Sequence, residues 1–119
     1  MKGSVMTGTR TAQAGRNRFK QVNAKAEAEL YEAFVSLRNV EECRRFIYDI
    51  CTPKEITDIA DRWWVARLLD EGKLSYREIH AQTGVSVTTV GRVARFLQQE
   101  SFQGYRLILD RRKGKSGRK

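Results

Sequence analysis

The stretch "GVSVTTVGRVAR", Gly84 to Arg95, carries hydroxyl and guanidinium side chains at helical spacing: Ser86, Thr88, Thr89, Arg92 and Arg95. If Val87, Val90, Val93, Ala94 and, further on, Leu97 turn inward, then Thr88, Thr89, Arg92 and Arg95 fall on the opposite face. That inventory suits recognition rather than bond-making. Small hydroxyl and methyl groups at the front of a helix can meet base edges and thymine methyls, and the arginines behind them can reach guanine or a phosphate. Ser86 would stand at a helix N-terminus, whose free N–H groups suit a phosphate, and Arg77 on the preceding helix is placed to touch another. Thr and Arg are also common on ordinary solvated faces. The functional reading therefore rests on the turn glycine, the two caps and the apolar spacing around them.

The chain offers little for catalysis. Its single histidine, His80, reads as a packing or backbone-contacting residue beside Ile79 rather than as a base. Cys43 and Cys51 lie eight positions apart without Cys-x-x-Cys spacing, so they signal neither a zinc site nor a disulfide framework and read as reduced core thiols. No serine or cysteine sits in a nucleophile motif, and no glycine-rich phosphate loop follows a strand. No catalytic residue and no metal site is expected.

The elements that must hold the reading face are punctuated clearly. "NAKAEAELYEAFVSLRN" consists of good helix formers with Leu30, Phe34 and Leu37 on one face, predicting a helix from Asn23 to about Arg38. Asn39 with Glu42 can cap a second helix, ending near Cys51, in which Val40, Cys43, Phe46, Ile47 and Ile50 repeat at three and four. "TPKEITDIADRWWVARLLDEG" combines Thr52 as N-cap, Pro53 at the first position, Glu55 closing a capping box and Gly72 as exit. The apolar positions of this third helix cover more than one stripe, so it should be covered on more than one side, in part by a second subunit. Ser75 with Glu78 forms another capping box, Gly84 permits a tight turn and Ser86 caps the next helix. That is a helix-turn-helix by spacing. The last segment, "ESFQGYRLILDRR", reads equally as a short helix after Gly104 or as an extended stretch.

Charge divides the chain in three. With 119 residues and 40% hydrophobic content there is material for one modest core, hence one domain. The net charge of +9 sits at the ends: residues 1–22 hold Lys2, Arg10, Arg16, Arg18 and Lys20 with no acid, residues 110–119 hold six cations against Asp110, and the middle is nearly neutral. The expected organisation is a disordered basic N-terminal arm over 1–22, a helical domain over 23–110 with the helix-turn-helix at 75–98, and a basic C-terminal tail over 111–119. Arg111, Arg112, Lys113 and Lys115 of that tail would supply phosphate contacts without sequence preference. No apolar run long enough for secretion or membrane spanning is present, which points to a cytoplasmic, nucleoid-associated protein.

"CTPKEITDIADRWWVARLLDEGKLSYREIHAQTGVSVTTVGRVARFLQ" resembles the tryptophan-repressor family in its threonine-proline-acid helix start, its "LLxxGxxSxRE" bridge and its recognition helix "TTVGR". Within the family it is most similar to the YerC/YecD branch, which shares the aromatic pair Trp63-Trp64 and an ending like "GYRLILD". The match spans about Asn23 to Asp110. It implies an all-α, TrpR-like fold and an intertwined homodimer whose paired recognition helices enter successive major grooves of double-stranded DNA. It also implies a ligand pocket. In the family the indole of tryptophan lies between two arginines, and the matching positions here are Arg62 and Arg92, with the N-cap threonine at Thr52. Two departures fall at that pocket: Val93 stands in place of a glycine, and Phe96 in place of the serine that helps hold the ligand's amino group. A branched side chain and a ring would crowd a flat ligand, so a different small molecule, or none, is expected ahead of tryptophan. Arg62 has a plain alternative as an i,i+4 ion-pair partner of Asp58, and Arg92 as a DNA-facing residue.

The sequence thus reads as a sequence-specific, double-stranded DNA-binding transcriptional regulator without catalytic activity. Two rivals stay open: an RNA binder that works through its basic arms, and a docking module anchored by Trp64 and Tyr76.

Overall fold

A computed structural model describes residues 8–117, with side chains for residue 21 and residues 23–114. Six helices follow in order: α1 (Gly8–Ser36), α2 (Val40–Ile50), α3 (Pro53–Glu71), α4 (Tyr76–Thr83), α5 (Val87–Gln98) and α6 (Gly104–Gly117). No strand occurs among the described residues. The chain forms two compact units, divided between Ile47 and Tyr48.

Helix starts follow local side-chain chemistry. At α2, Asn39 Oδ1 accepts from the Glu42 N–H at 2.9 Å, while Glu42 Oε1 accepts from the Arg38 N–H at 2.9 Å. At α3 the capping box is complete: Thr52 Oγ1 accepts from the Glu55 N–H at 3.1 Å, and Glu55 Oε1 accepts from the Thr52 N–H at 2.8 Å. Ser75 and Glu78 repeat it at α4, at 3.1 and 2.8 Å. Each cap satisfies helix-end donors that would otherwise need water, a contribution of about 1 kcal/mol. Gly72 at φ 72° and Gly84 at φ 80° close α3 and α4 in the left-handed region, where a Cβ is unfavourable.

The second unit owns the core. Val65, Ala66 and Leu68 of α3, Ile79 of α4, Val85 of the turn, Val90, Val93, Ala94 and Leu97 of α5 and Leu109 of α6 are buried. Among the described residues, the first unit contributes no buried residue. Its Phe34 and Phe46 rings meet edge to face with centroids 5.2 Å apart, yet Tyr31, Phe34, Val35 and Val40 are exposed.

Four sequence expectations need correction. The segment up to residue 22, expected as a disordered arm, is helical from Gly8 onward; residues 1–7 lie outside the described residues. Ala12, Gln13, Ala14, Arg16, Arg18 and Lys20 are good helix formers, so the missing apolar period signals the lack of a core-facing stripe, not the lack of a helix. At the other end α6 runs through the expected boundary at Asp110 to Gly117, so residues 111–117 are helix rather than free tail. Val87 is 43% exposed because it opens α5, and the inward place is taken by Val85. Cys43, read as a core thiol, is exposed on α2, and Cys51 is half-buried.

Candidate nucleic-acid interface

The joint between α4 and α5 is three residues long, Gly84, Val85 and Ser86, and hydrogen bonds hold it from both sides. The Gly84 N–H donates to the His80 carbonyl at 2.8 Å. Thr83 Oγ1 donates to the Ile79 carbonyl at 2.7 Å and accepts the Val85 N–H at 3.0 Å. His80 Nδ1 lies 2.7 Å from the Val85 carbonyl. On the far side Ser86 Oγ accepts the Thr89 N–H at 3.1 Å and donates to Thr89 Oγ1 at 3.0 Å. Val85 itself is buried against the core. The second helix of the pair is thus held by caps at its start and by Val90, Val93, Ala94 and Leu97 along its inner side.

On the outer side the predicted reading residues differ in availability. Thr88 and Arg92 are exposed, as is Arg77 on α4. Thr89 is half-buried and its hydroxyl is engaged by Ser86. Arg95 Nε forms an ion pair with Glu100 at 2.9 Å, so the face is not as free of acid as the residues up to Arg95 imply. A cleft of about 270 Å³ also brings Asp58 and Asp61 of α3 to Ser86 and Thr89 at the start of α5. Carboxylates there suit the helix dipole and would compete with phosphate on that side, whereas Thr88 and Arg92 stand clear of them, exposed.

The two predicted pocket arginines do come together. Arg62 and Arg92 line a cleft of about 420 Å³ with Trp63, Val93, Phe96 and Tyr105, a size within the range of small-molecule sites. Thr52 does not line it; its hydroxyl is spent on the cap of α3. Val93 and Phe96 leave more room than their bulk suggests. Their effect is of another kind: the Arg92 guanidinium lies over the Phe96 ring at 4.5 Å, so one of its faces is already covered. The plain alternative for Arg62 is not found, since Asp58 pairs with Lys54 at 3.2 Å instead. Burial raises the Tyr105 phenol above its ordinary pKa, while Arg62 and Arg92 pull it the other way, a sign that both cations stand near this ring.

The far wall of that cleft was not anticipated. It comes from Phe102, Gln103, Gly104, Tyr105 and Ile108, where the chain turns back through Gln103 at φ 53° into α6. Asp70, at the end of α3 with its side chain 10% exposed, ties α6 down by accepting from Arg106 at 2.7 Å and pairing with Lys113 at 2.9 Å. Burial raises the Asp70 carboxyl, but the hydrogen bonds from Lys113 and Arg106 outweigh it and set the pKa below the usual value. Arg112 lies over the Trp63 ring at 5.8 Å. Arg112 and Lys113, expected as free phosphate contacts, are therefore turned toward the fold, whereas Arg111 is exposed and the Lys115 side chain lies outside the described residues. The periodicity of Tyr105, Ile108 and Leu109 was the one available signal for this wall.

Among the described residues no group of His, Cys, Asp and Glu could hold a metal ion, and no helix is long and apolar enough to cross a membrane.

Comparison with known proteins agrees with this architecture. The profile of the family described as Trp repressor protein matches residues 25–113. The uncharacterised protein YerC of Bacillus subtilis is 40% identical over 91 residues, spanning 76% of this chain and 86% of YerC. Among solved structures, a TrpR-like protein from Eubacterium eligens superposes with a TM-score of 0.69 at 33% identity, covering 77% of this chain and 93% of the other. A candidate Trp repressor from Staphylococcus aureus gives 0.70 at 35% identity, with 79% and 92% covered.

Proposed function

This chain belongs to the Trp repressor protein family, and from that premise we propose that it is a homodimeric, sequence-specific binder of double-stranded DNA that regulates transcription and catalyses no reaction. The observation that carries the reading is the α4–α5 pair. A three-residue joint, bonded at both the N–H and the carbonyl of Val85, sets a helix whose inner side fills the core and whose outer side offers Thr88 and Arg92 to a groove. Arg77 approaches the backbone from α4, and Arg111 adds contact that is indifferent to sequence.

A second copy is called for by surfaces the chain leaves uncovered. Helix α2 is strongly amphipathic yet has no buried residue. On α3, Ile56, Ile59, Ala60 and Trp63 form a second apolar stripe, with Ile59 half exposed. An isologous dimer would cover such stripes in pairs and place two α5 helices for two half-sites. The cytoplasm, at the nucleoid, is where such a protein works.

No corepressor is assigned to the cleft between Arg62 and Arg92. A flat ligand stacked on Arg92 would have to displace Phe96 from the face it covers, and this favours a different small ligand, or none, over tryptophan.

The test is selection of bound fragments from a random duplex pool at near-physiological salt, with and without tryptophan. A two-fold symmetric motif with half-sites about one helical turn apart is expected, unchanged by tryptophan. A pool with no enriched motif, and binding that vanishes as salt rises, would overturn the reading in favour of RNA, or of a protein docked on Trp64 and Tyr76. Replacing Thr88 and Thr89 by Ala should weaken the selected site by about 1 to 3 kcal/mol and leave bulk DNA nearly unaffected, as measured by competition binding.

A further inference from the structure

We infer that His80 and Thr83 are positioning residues that latch the joint and thereby set the angle of the reading helix; the inference rests on the α4–α5 pair being the DNA-reading element. Val85 is the one residue between the closing glycine of α4 and the capping serine of α5. Its N–H is taken by Thr83 Oγ1 at 3.0 Å and its carbonyl by His80 Nδ1 at 2.7 Å, while its side chain is buried. All three groups of this one residue are therefore fixed by α4 and the core. A carbonyl cannot donate, so the contact places the ring proton on Nδ1 and leaves Nε2 outward. Thr83 can accept from Val85 because its own proton goes to the Ile79 carbonyl at 2.7 Å, which orients the hydroxyl.

The two side chains act at successive backbone atoms. The torsions of Val85 decide where α5 points relative to α4, and rotation there swings Arg92, more than one turn into the helix, out of the narrow geometry that a base-edge hydrogen bond tolerates. Nonspecific contact with phosphate is less demanding than base-edge geometry. The latch should therefore matter for sequence reading and hardly at all for general DNA affinity.

The test uses the full chain with Thr83→Val, which keeps the shape and removes the hydroxyl, and His80→Phe, which keeps the ring and removes the donor. Thr83→Ser and His80→Asn are the rescue variants, since Asn Nδ2 stands where Nδ1 does. Amide hydrogen exchange is read at Val85 and Ser86 against Val90 and Leu97, and affinity is read on the selected site against bulk DNA. In Thr83→Val and His80→Phe, Val85 and Ser86 should exchange about fivefold faster or more, the loss of one hydrogen bond, with Val90 and Leu97 unchanged. Specific affinity should fall by a similar factor, bulk affinity should hold, and the rescue variants should restore both. Unchanged exchange at Val85 and Ser86 would overturn the latch. Faster exchange at all four amides would overturn it too, in favour of a general structural role. Faster local exchange with specific and bulk affinity falling together would overturn its part in reading. The exchange readout needs no DNA, so it decides the latch even if the pool selection yields no motif.

Discussion

Tyr31, Phe34, Val35 and Val40 in the first unit are as apolar as Val65, Ile79, Val90 and Leu97 in the second, yet the former stand in solvent and the latter are buried. The difference lies in what each unit can reach within its own chain. The four helices after Tyr48 are joined by connections of three to five residues, so they fold back on one another and close a core. The first unit is one long helix and most of a second, and none of its described residues is buried. One unit closes a core from its own helices, and Tyr31, Phe34, Val35 and Val40 of the other stay exposed. Apolar pattern alone does not distinguish the two cases, because a stripe shows only that a helix seeks cover, not who supplies it.

The most severe way to break this contrast is inside the second unit. Val65→Asp puts an unpaired charge at a fully buried position, which should cost about 3 to 5 kcal/mol and unfold the unit at any protein concentration, as followed by thermal melting. A concentration-dependent melt would show that this core, too, depends on a partner. Next comes Phe34→Ser with Phe46→Ser, which removes the paired rings of the first unit. Sedimentation should show self-association weakened by about 2 kcal/mol, the scale of one well-buried apolar side chain, while amide dispersion of the second unit persists. Loss of dispersion everywhere would erase the boundary between the units.

Asp70→Asn sharpens the picture within the second unit by loosening α6 without touching the core. Asp70 has a lowered pKa in the folded chain, so its contribution is present above the ordinary carboxylate range and is lost as pH falls through the folded-state value. The variant should be less stable by about 1 kcal/mol near neutrality, the size of a typical hydrogen-bond contribution. The gap should close in acid, as read by denaturant midpoints across pH. A gap that widens in acid would contradict the pairing with Arg106 and Lys113. Lys54→Ala is the smallest change. Its partner Asp58 is exposed enough for water to screen the pair, and only a few tenths of a kcal/mol should be lost.

What was legible in the sequence was whatever is decided over three or four residues. Thr52 with Pro53 and Glu55, Ser75 with Glu78, Gly84 and Ser86 marked helix ends that the structure has, because a cap is a contract between near neighbours. The helix-turn-helix spacing and the meeting of Arg62 with Arg92 followed, the second through resemblance to a family. Contacts between distant positions were not legible. Lys113 and Arg106 reach Asp70 across more than thirty residues, and nothing in a run of basic residues tells a cation bound for phosphate from one bound for a carboxylate. The helix before residue 23 was missed because polar helices carry no apolar period, and Arg95 looked free because Glu100 lies just beyond the stretch that was read as a face.

The open apolar surface of the first unit also has a place in time. It belongs to residues up to 47, whose synthesis precedes that of residues 48–119. At about 5 to 20 residues per second, that later portion takes roughly 4 to 14 s to synthesise. Tyr31, Val35 and Val40 stand exposed, while the core of the second unit is built from its own residues. On the proposed dimer, a newborn first unit waits for an encounter with a second copy, so local chain density on the message enters assembly as a variable in its own right.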